Sequence, residues 1–359
     1  MDFSNIVSPK LIAAAYNTAA SNKIPYFGES LFTPAKTAGL DLAWIKGSSG
    51  ITVSLAPSAF DAKATFRTIE GIKRIETEMP FFREGFHISE RDRLELLRAK
   101  NEDDPYVDAV LNRVYDYVGN LIDAANVVAE RMRMALLFPT GGDMKIIFKA
   151  NGVDYSYNYD AAGTWKANNY ATLTSTALWS APTTANPIKD FSDMASKAAD
   201  VSGSEVKYAI MSSDTFTKML ATDAVKDLYV STSGRNISFI TPAMGAQAIA
   251  SVTGITPIVY KKKYKTESGV ATAYVPDGYV TFIPEGALGN TWYGTTPEEA
   301  NIIFNPTATA TSDVSIVNTG IAVTKIFNPH PADSDIIVSE IVLPSFERMD
   351  EVVTLKVTA

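Results

Sequence analysis

DPYVDAVLNRVYDYVGNLIDAANVVAERMRMALLFP, residues 104–139, carries the longest helical pattern in the sequence. Asp104 followed by Pro105 reads as an N-cap with proline at the first helical position, where its missing N–H costs nothing. Val107, Val110, Leu111, Val114, Val118, Leu121, Ile122, Ala125, Val128, Ala129, Met132 and Leu136 then recur at helical spacing until Pro139. At a rise of 1.5 Å, about 33 residues make a rod of roughly 50 Å, about three times the mean helix length. The spacing drifts with the 3.6-residue turn instead of holding a strict heptad, which argues against a coiled coil. Ala125 and Val128 lie on the apolar stripe, so a charge at either position is expected to be severely destabilising.

Upstream of the rod the chain has less to build a core from. Ser8-Pro9 marks a helix start, and Leu11, Ile12, Ala15, Tyr16 and Ala19 give a short helical stripe. The segment Ile24-Pro25-Tyr26-Phe27-Gly28-Glu29-Ser30-Leu31-Phe32-Thr33-Pro34 is aromatic and interrupted by proline, and it needs another surface to cover it. That surface belongs either to its own domain or to a neighbouring subunit. Ile51, Val53 and Leu55 alternate with polar residues as in a half-buried strand, and Pro57 ends it. A charged limb follows, with Arg67, Glu70, Lys73, Arg74, Glu76 and Glu78 set among Phe66, Ile69, Ile72 and Ile75, which suggests a projecting hairpin. Ser89-Glu90-Arg91-Asp92 resembles a capping box opening a short helix through Leu94, Leu96 and Leu97.

Downstream, Asn151-Gly152 between 145–149 and 153–159 is a strong hairpin signal. Residues 161–187, rich in Thr, Ala and Asn, read as loop. Helices are expected over 188–199, 214–228 and 243–252, and strands over 206–211, 255–260, 271–275 and 279–283. The tail returns to strand over 320–327 and 336–343, and Val353, Leu355 and Val357 alternate with Thr354 and Lys356. It is expected to pair with the earlier hairpin across a long sequence distance. The class is α+β.

Composition excludes more than it specifies. The 359 residues carry a net charge of −8 and a sequence pI near 5.0, whereas a phosphate-gripping protein needs clustered Lys and Arg and a basic domain. With no cysteine, disulfides, thiolate metal sites and cysteine nucleophiles are excluded. No targeting segment and no apolar run of transmembrane length is read. The two histidines, His87 and His330, have no sequence partner at metal spacing and no nucleophile motif beside them, and read as surface or loop residues. Asp333-Ser334-Asp335 and Glu298-Glu299 read as solvated acidic turns, since no calcium-loop pattern surrounds them. Lys261-Lys262-Lys263 reads as a solvated turn, and Thr140-Gly141-Gly142 lacks the ending of a P-loop. No catalytic residue, cofactor or metal is expected, and the chain does not read as an enzyme.

The order of these elements resembles the phage lambda major capsid protein E family, which has the Hong Kong 97 capsid fold. Pro25-Tyr26-Phe27-Gly28-Glu29-Ser30-Leu31-Phe32 looks like that family's N-arm segment. Arg67 to Pro80, followed by Phe86 to Leu97, is similar to its extended loop running into a lead-in helix. The rod from Pro105 to Phe138 resembles its spine helix. Pro329 to Ala332, Ser339-Glu340-Ile341-Val342-Leu343-Pro344 and Asp350 to Val357 resemble its C-terminal pattern.

The resemblance implies a major capsid protein of a tailed bacteriophage, assembling into pentamers and hexamers of an icosahedral head that encloses DNA. It implies an N-terminal arm (1–45), an extended β-hairpin loop (46–86), a peripheral domain (87–187 and 316–359, with the spine helix at 105–138) and an axial domain (about 188–315). The arm and loop would lie over neighbours, with Tyr26, Phe27, Leu31, Phe32, Arg67, Glu70, Lys73, Arg74 and Glu76 as assembly contacts. On that reading the arm orders only in the shell, and removing 1–45 leaves a subunit that still melts cooperatively. The implied partners are other copies of the chain in capsomers and shell, a separate scaffolding protein, a portal, and packaged DNA held without specific binding; no membrane partner is implied. The place would be the virion head, assembled in the host cytoplasm. A phage tail-tube or sheath subunit is the alternative, disfavoured by the rod, and an enzyme of unknown class is a third.

Overall fold

Pro105–Leu137 forms one helix of 33 residues, ended before Pro139 as the sequence requires. The computed structural model describes residues 8–20, 26–45, 74–92, 94, 105–150, 152–233, 240–304 and 312–359. In chain order the helices are α1 (Pro9–Ala20), α2 (Phe27–Leu31), α3 (Pro105–Leu137), α4 (Thr164–Asn169), α5 (Pro187–Ser202), α6 (Ser213–Ala221), α7 (Asp223–Ser233), α8 (Pro242–Thr253) and α9 (Pro297–Phe304). The strands are β1 (Phe32–Lys36), β2 (Asp41–Ile45), β3 (Arg74–Glu78), β4 (Phe81–Ile88), β5 (Lys145–Ala150), β6 (Val153–Asn158), β7 (Tyr170–Thr172), β8 (Val206–Met211) and β9 (Thr256–Val259). They continue with β10 (Lys263–Lys265), β11 (Ala271–Ala273), β12 (Tyr279–Pro284), β13 (Gly289–Tyr293), β14 (Ser312–Val317), β15 (Ile321–Phe327), β16 (Ser334–Ser345) and β17 (Val353–Lys356). The strand expected over 51–55 lies outside the described residues.

The chain divides into two compact units, each assembled from three separate segments. The first unit comprises 1–43, 76–131 and 290–345. Its six-stranded sheet runs β1-β13-β16-β15-β14, with β4 also paired to β16. β16 is its hub: antiparallel to β15 and β4 over its first half and to β13 over its last residues. A core of Ile12, Ala13 and Tyr16 from α1, Ile88 from β4, Val118, Ile122 and Ala125 from α3, and Val317, Ile321, Val323, Ile336 and Val338 closes against this sheet. Tyr16 is buried with its polar end satisfied: its hydroxyl donates to Asp123 Oδ1 at 2.7 Å and accepts from Asn126 Nδ2 at 2.9 Å. Burial and the neighbouring Asp123 carboxylate push that phenol above its ordinary range. The buried face of α3 includes Val118, Ile122, Ala125 and Ala129, whereas Val128, placed by its spacing on the apolar stripe, is only half-buried.

The second unit comprises 44–75, 132–289 and 346–359. Its five-stranded sheet has the order β7-β17-β12-β8-β9, antiparallel around β12 and parallel at both margins. Helices α5, α6, α7 and α8 supply Phe191, Met194, Phe216, Met219, Val225 and Ile249 to a core shared with Val280, Phe282, Val353 and Leu355. Phe191 stands edge-on to Phe282, with ring centroids 5.0 Å apart, and stacks on Trp179.

Three expectations change here. The C-terminal strands do not pair with the 145–158 hairpin, which is a separate two-stranded sheet; β16 pairs with β4, and β17 with β12 and β7. Residues 161–187 are not all loop: Asp160 accepts from the backbone N–H of Trp165 and Lys166, which starts α4 and buries Trp165, whose indole donates to Met349 O at 2.9 Å. The helix read over 214–228 is two, because Thr222 is extended and turns its hydroxyl onto Met219 O.

Candidate functional site

The aromatic segment after Pro25 folds onto its own unit. Tyr26 precedes α2 in extended conformation, and Gly28 N–H donates to the buried Glu130 Oε1 at 3.0 Å. Leu31 and Phe32 then enter the interior, Phe32 with no exposed surface. The strand that follows is tied to β13 through Thr291 Oγ1 donating to Phe32 O at 3.1 Å and Thr33 Oγ1 donating to Asn290 Oδ1 at 2.7 Å. Of the two surfaces left open for this segment, Leu31 and Phe32 take the one within their own chain. Tyr26 and Phe27 remain half-buried at the surface. Arg67, Glu70 and Lys73 lie outside the described residues, and Arg74 and Glu76 lie on β3.

Glu298 and Glu299, read as a solvated turn, instead occupy the first turn of α9, where negative charge suits the helix dipole. Lys36 pairs with Glu299 at 2.6 Å, Arg83 pairs with Glu298, and Ser339 Oγ donates to the other Glu298 oxygen at 2.8 Å. These bonds hold α9 to β1, β4 and β16. Arg83 also lies over the Phe81 ring, 4.6 Å from its centroid.

The antiparallel register of β4 on β16 brings a third group together. Gly85 faces Ile337, and a Cβ at Gly85 would stand 2.8 Å from Ile336 O, so the close approach requires glycine. Two residues on, His87 is opposite Asp335. His87 Nδ1 lies 2.7 Å from Asp335 Oδ1, and Nε2 lies 3.6 Å from Asp333 Oδ2. The Asn328 amide donates to the outer oxygens of both carboxylates, 2.7 Å to Asp333 Oδ1 and 3.0 Å to Asp335 Oδ2. Asp333, expected in a solvated turn, is 5% exposed. The bond to Asp335 holds the His87 imidazole above its ordinary range. Glu90 accepts from Ala332 N–H at 2.7 Å, and Asp92 closes the expected capping box by accepting from Ser89 N and Oγ while its own N–H donates to Ser89 Oγ. Sequence spacing conceals the cluster, because His87 and Asp335 are 248 positions apart.

Among the described residues no helix is long and apolar enough to cross a membrane. This arrangement of two discontinuous units is the fold of phage capsid proteins of known structure. A protein of an Escherichia coli CFT073 prophage has the same fold, with a TM-score of 0.57, 15% identity, and coverage of 98% of this chain and 99% of that one. A phage-related protein of Bordetella bronchiseptica RB50 gives 0.55, 13%, 98% and 97%, and the cyanophage A-1(L) capsid subunit gives 0.51, 11%, 98% and 93%. No curated protein matches the chain. The profile of the phage major capsid protein E family matches residues 12–357, and the chain belongs to that family. It is a structural protein of the virion head, assembling with copies of itself into a shell, and not an enzyme.

Proposed function

We propose that the chain forms the pentamers and hexamers of an icosahedral head, built in the host cytoplasm on a separate scaffolding protein around a portal. The observation that carries this reading is the capsid-family match across residues 12–357. The four-part assembly reading goes with it: arm (1–45), extended loop (46–86), peripheral domain (87–187 and 316–359) and axial domain (about 188–315). The two compact units cut across that partition. Tyr26 and Phe27, half-exposed beside a buried anchor at Phe32, and the charged limb with Arg67, Glu70, Lys73, Arg74 and Glu76 are the surfaces assigned to neighbours. The net charge of −8 supports a shell that encloses DNA without gripping it specifically.

Electron microscopy and sedimentation of the expressed full chain test this. Closed shells or capsomer rings are the expected result. Open tubes, or a stable compact monomer at micromolar concentration, would overturn it.

A further inference from the structure

We propose that His87, Asp333 and Asp335 form a binding site for a divalent transition-metal cation of the zinc class. The donor set is one imidazole and two carboxylates, which suits borderline ions of the first row better than calcium or magnesium, whose sites are all oxygen. One ligand atom from each residue lies within 4.8 Å of the others. Ligands bonded at about 2.1 Å to one ion sit roughly 3 to 3.5 Å apart. The two carboxylates stand at opposite edges of the ring, Asp335 Oδ1 2.7 Å from Nδ1 and Asp333 Oδ2 3.6 Å from Nε2, so only one nitrogen can ligate, and the imidazole must turn between the carboxylates to bring that nitrogen and both oxygens onto one ion.

The carboxylates are already oriented. Asn328 takes the outer oxygen of each, leaving Asp333 Oδ2 and Asp335 Oδ1 turned toward the imidazole. A hydrogen-bonding outer shell of this kind fixes ligand direction and raises affinity. Asp333 is nearly fully buried, and the turn that carries it is closed by Asn328 N–H donating to Asp333 O at 3.1 Å. The charge balance points the same way. Asp335, Asp333 and Asp92 all act on one imidazole, a surplus of negative charge that a dication offsets. With three protein donors, the remaining position on the metal goes to water. Such an ion would clamp β4 to the 328–335 turn and to the start of β16.

The test is calorimetric titration of the full-length chain at about pH 8 with zinc chloride alone, where the imidazole is free to ligate, followed by Co2+ absorption spectroscopy. One zinc per chain, a Co2+ spectrum showing nitrogen ligation, and a higher melting temperature with zinc are expected. His87→Gln and Asp335→Asn, both at partly exposed positions, are each expected to weaken binding by at least about tenfold. His330→Gln, at the other histidine, is expected to leave affinity within about twofold. Absence of zinc binding at micromolar concentration, binding unaffected by both variants, or tighter binding of Ca2+ than of Zn2+ would overturn the proposal. The Co2+ spectrum of the unaltered chain decides the matter should a variant fail to fold.

Discussion

Ile122 has no exposed surface in α3, whereas Val128, on the same helix, is half-buried. An aspartate at 122 would place an ion among Tyr16, Val118, Ile321 and Val338, where an unpaired charge costs several kcal/mol. Ile122→Asp is expected to give insoluble or degraded protein. Val128→Asp can turn its carboxylate toward water, and is expected to remain soluble with a melting temperature lowered by only a few degrees. Soluble expression compared side by side checks both, and equal behaviour of the two variants would show that the buried face has been misplaced.

Asp190 is a residue whose cost depends on pH. It lies in the first turn of α5, where it accepts the indole N–H of Trp179 at 2.8 Å. Burial pushes its carboxyl above the usual range, against the pull of that hydrogen bond. The folded state therefore holds the proton to higher pH than the unfolded chain does. The stabilisation is present below the unfolded value and is lost as pH rises through the raised one. Asp190→Asn keeps an acceptor for the indole and carries no charge. Its melting temperature is expected to exceed that of the wild type at about pH 8, with the gap closing as pH falls toward about 4. A gap that widens on acidification would invert the assignment.

At the scale of elements, α1 and the first residue of β1 contribute to the interior. Ile12 and Tyr16 pack in the first unit's core, and Phe32 leads into a strand bonded to β13. Deleting residues 1–45 is accordingly expected to abolish the cooperative melting of the first unit, contrary to what the arm reading implied. Calorimetry decides: an unchanged unfolding enthalpy in the deletion would mean that these elements cover the core without supporting it.

What could be read in advance follows from the range of the forces involved. The rod, the 145–158 hairpin and the helix starts at Pro9 and Pro105 depend on residues a few positions apart, and their spacing announces them. The partner of β16 does not. Ser334-Asp335-Ile336-Ile337-Val338 is strand-like by composition, but nothing within it selects β4 over β5 or β6. The same blindness hid the cluster around His87, whose members meet only after β4 and β16 align. The break at Thr222 turns on one hydroxyl bonding to the preceding carbonyl, which periodicity does not register.

At the scale of the whole molecule, both units are discontinuous, and the position of β17 has a consequence for synthesis. β17 is an inner strand, bonded to β12 on one side and β7 on the other, yet it is made of residues 353–356. The hub of the first sheet, β16, is likewise translated after more than three hundred others. A growing chain on the ribosome thus carries helices and short hairpins early but closes neither sheet until these late strands emerge. Contacts so distant in sequence are the slow ones to form. A polypeptide interrupted before residue 353 leaves β7 and β12 without their shared neighbour, so it offers proteases and chaperones an open sheet instead of offering the growing shell a finished subunit.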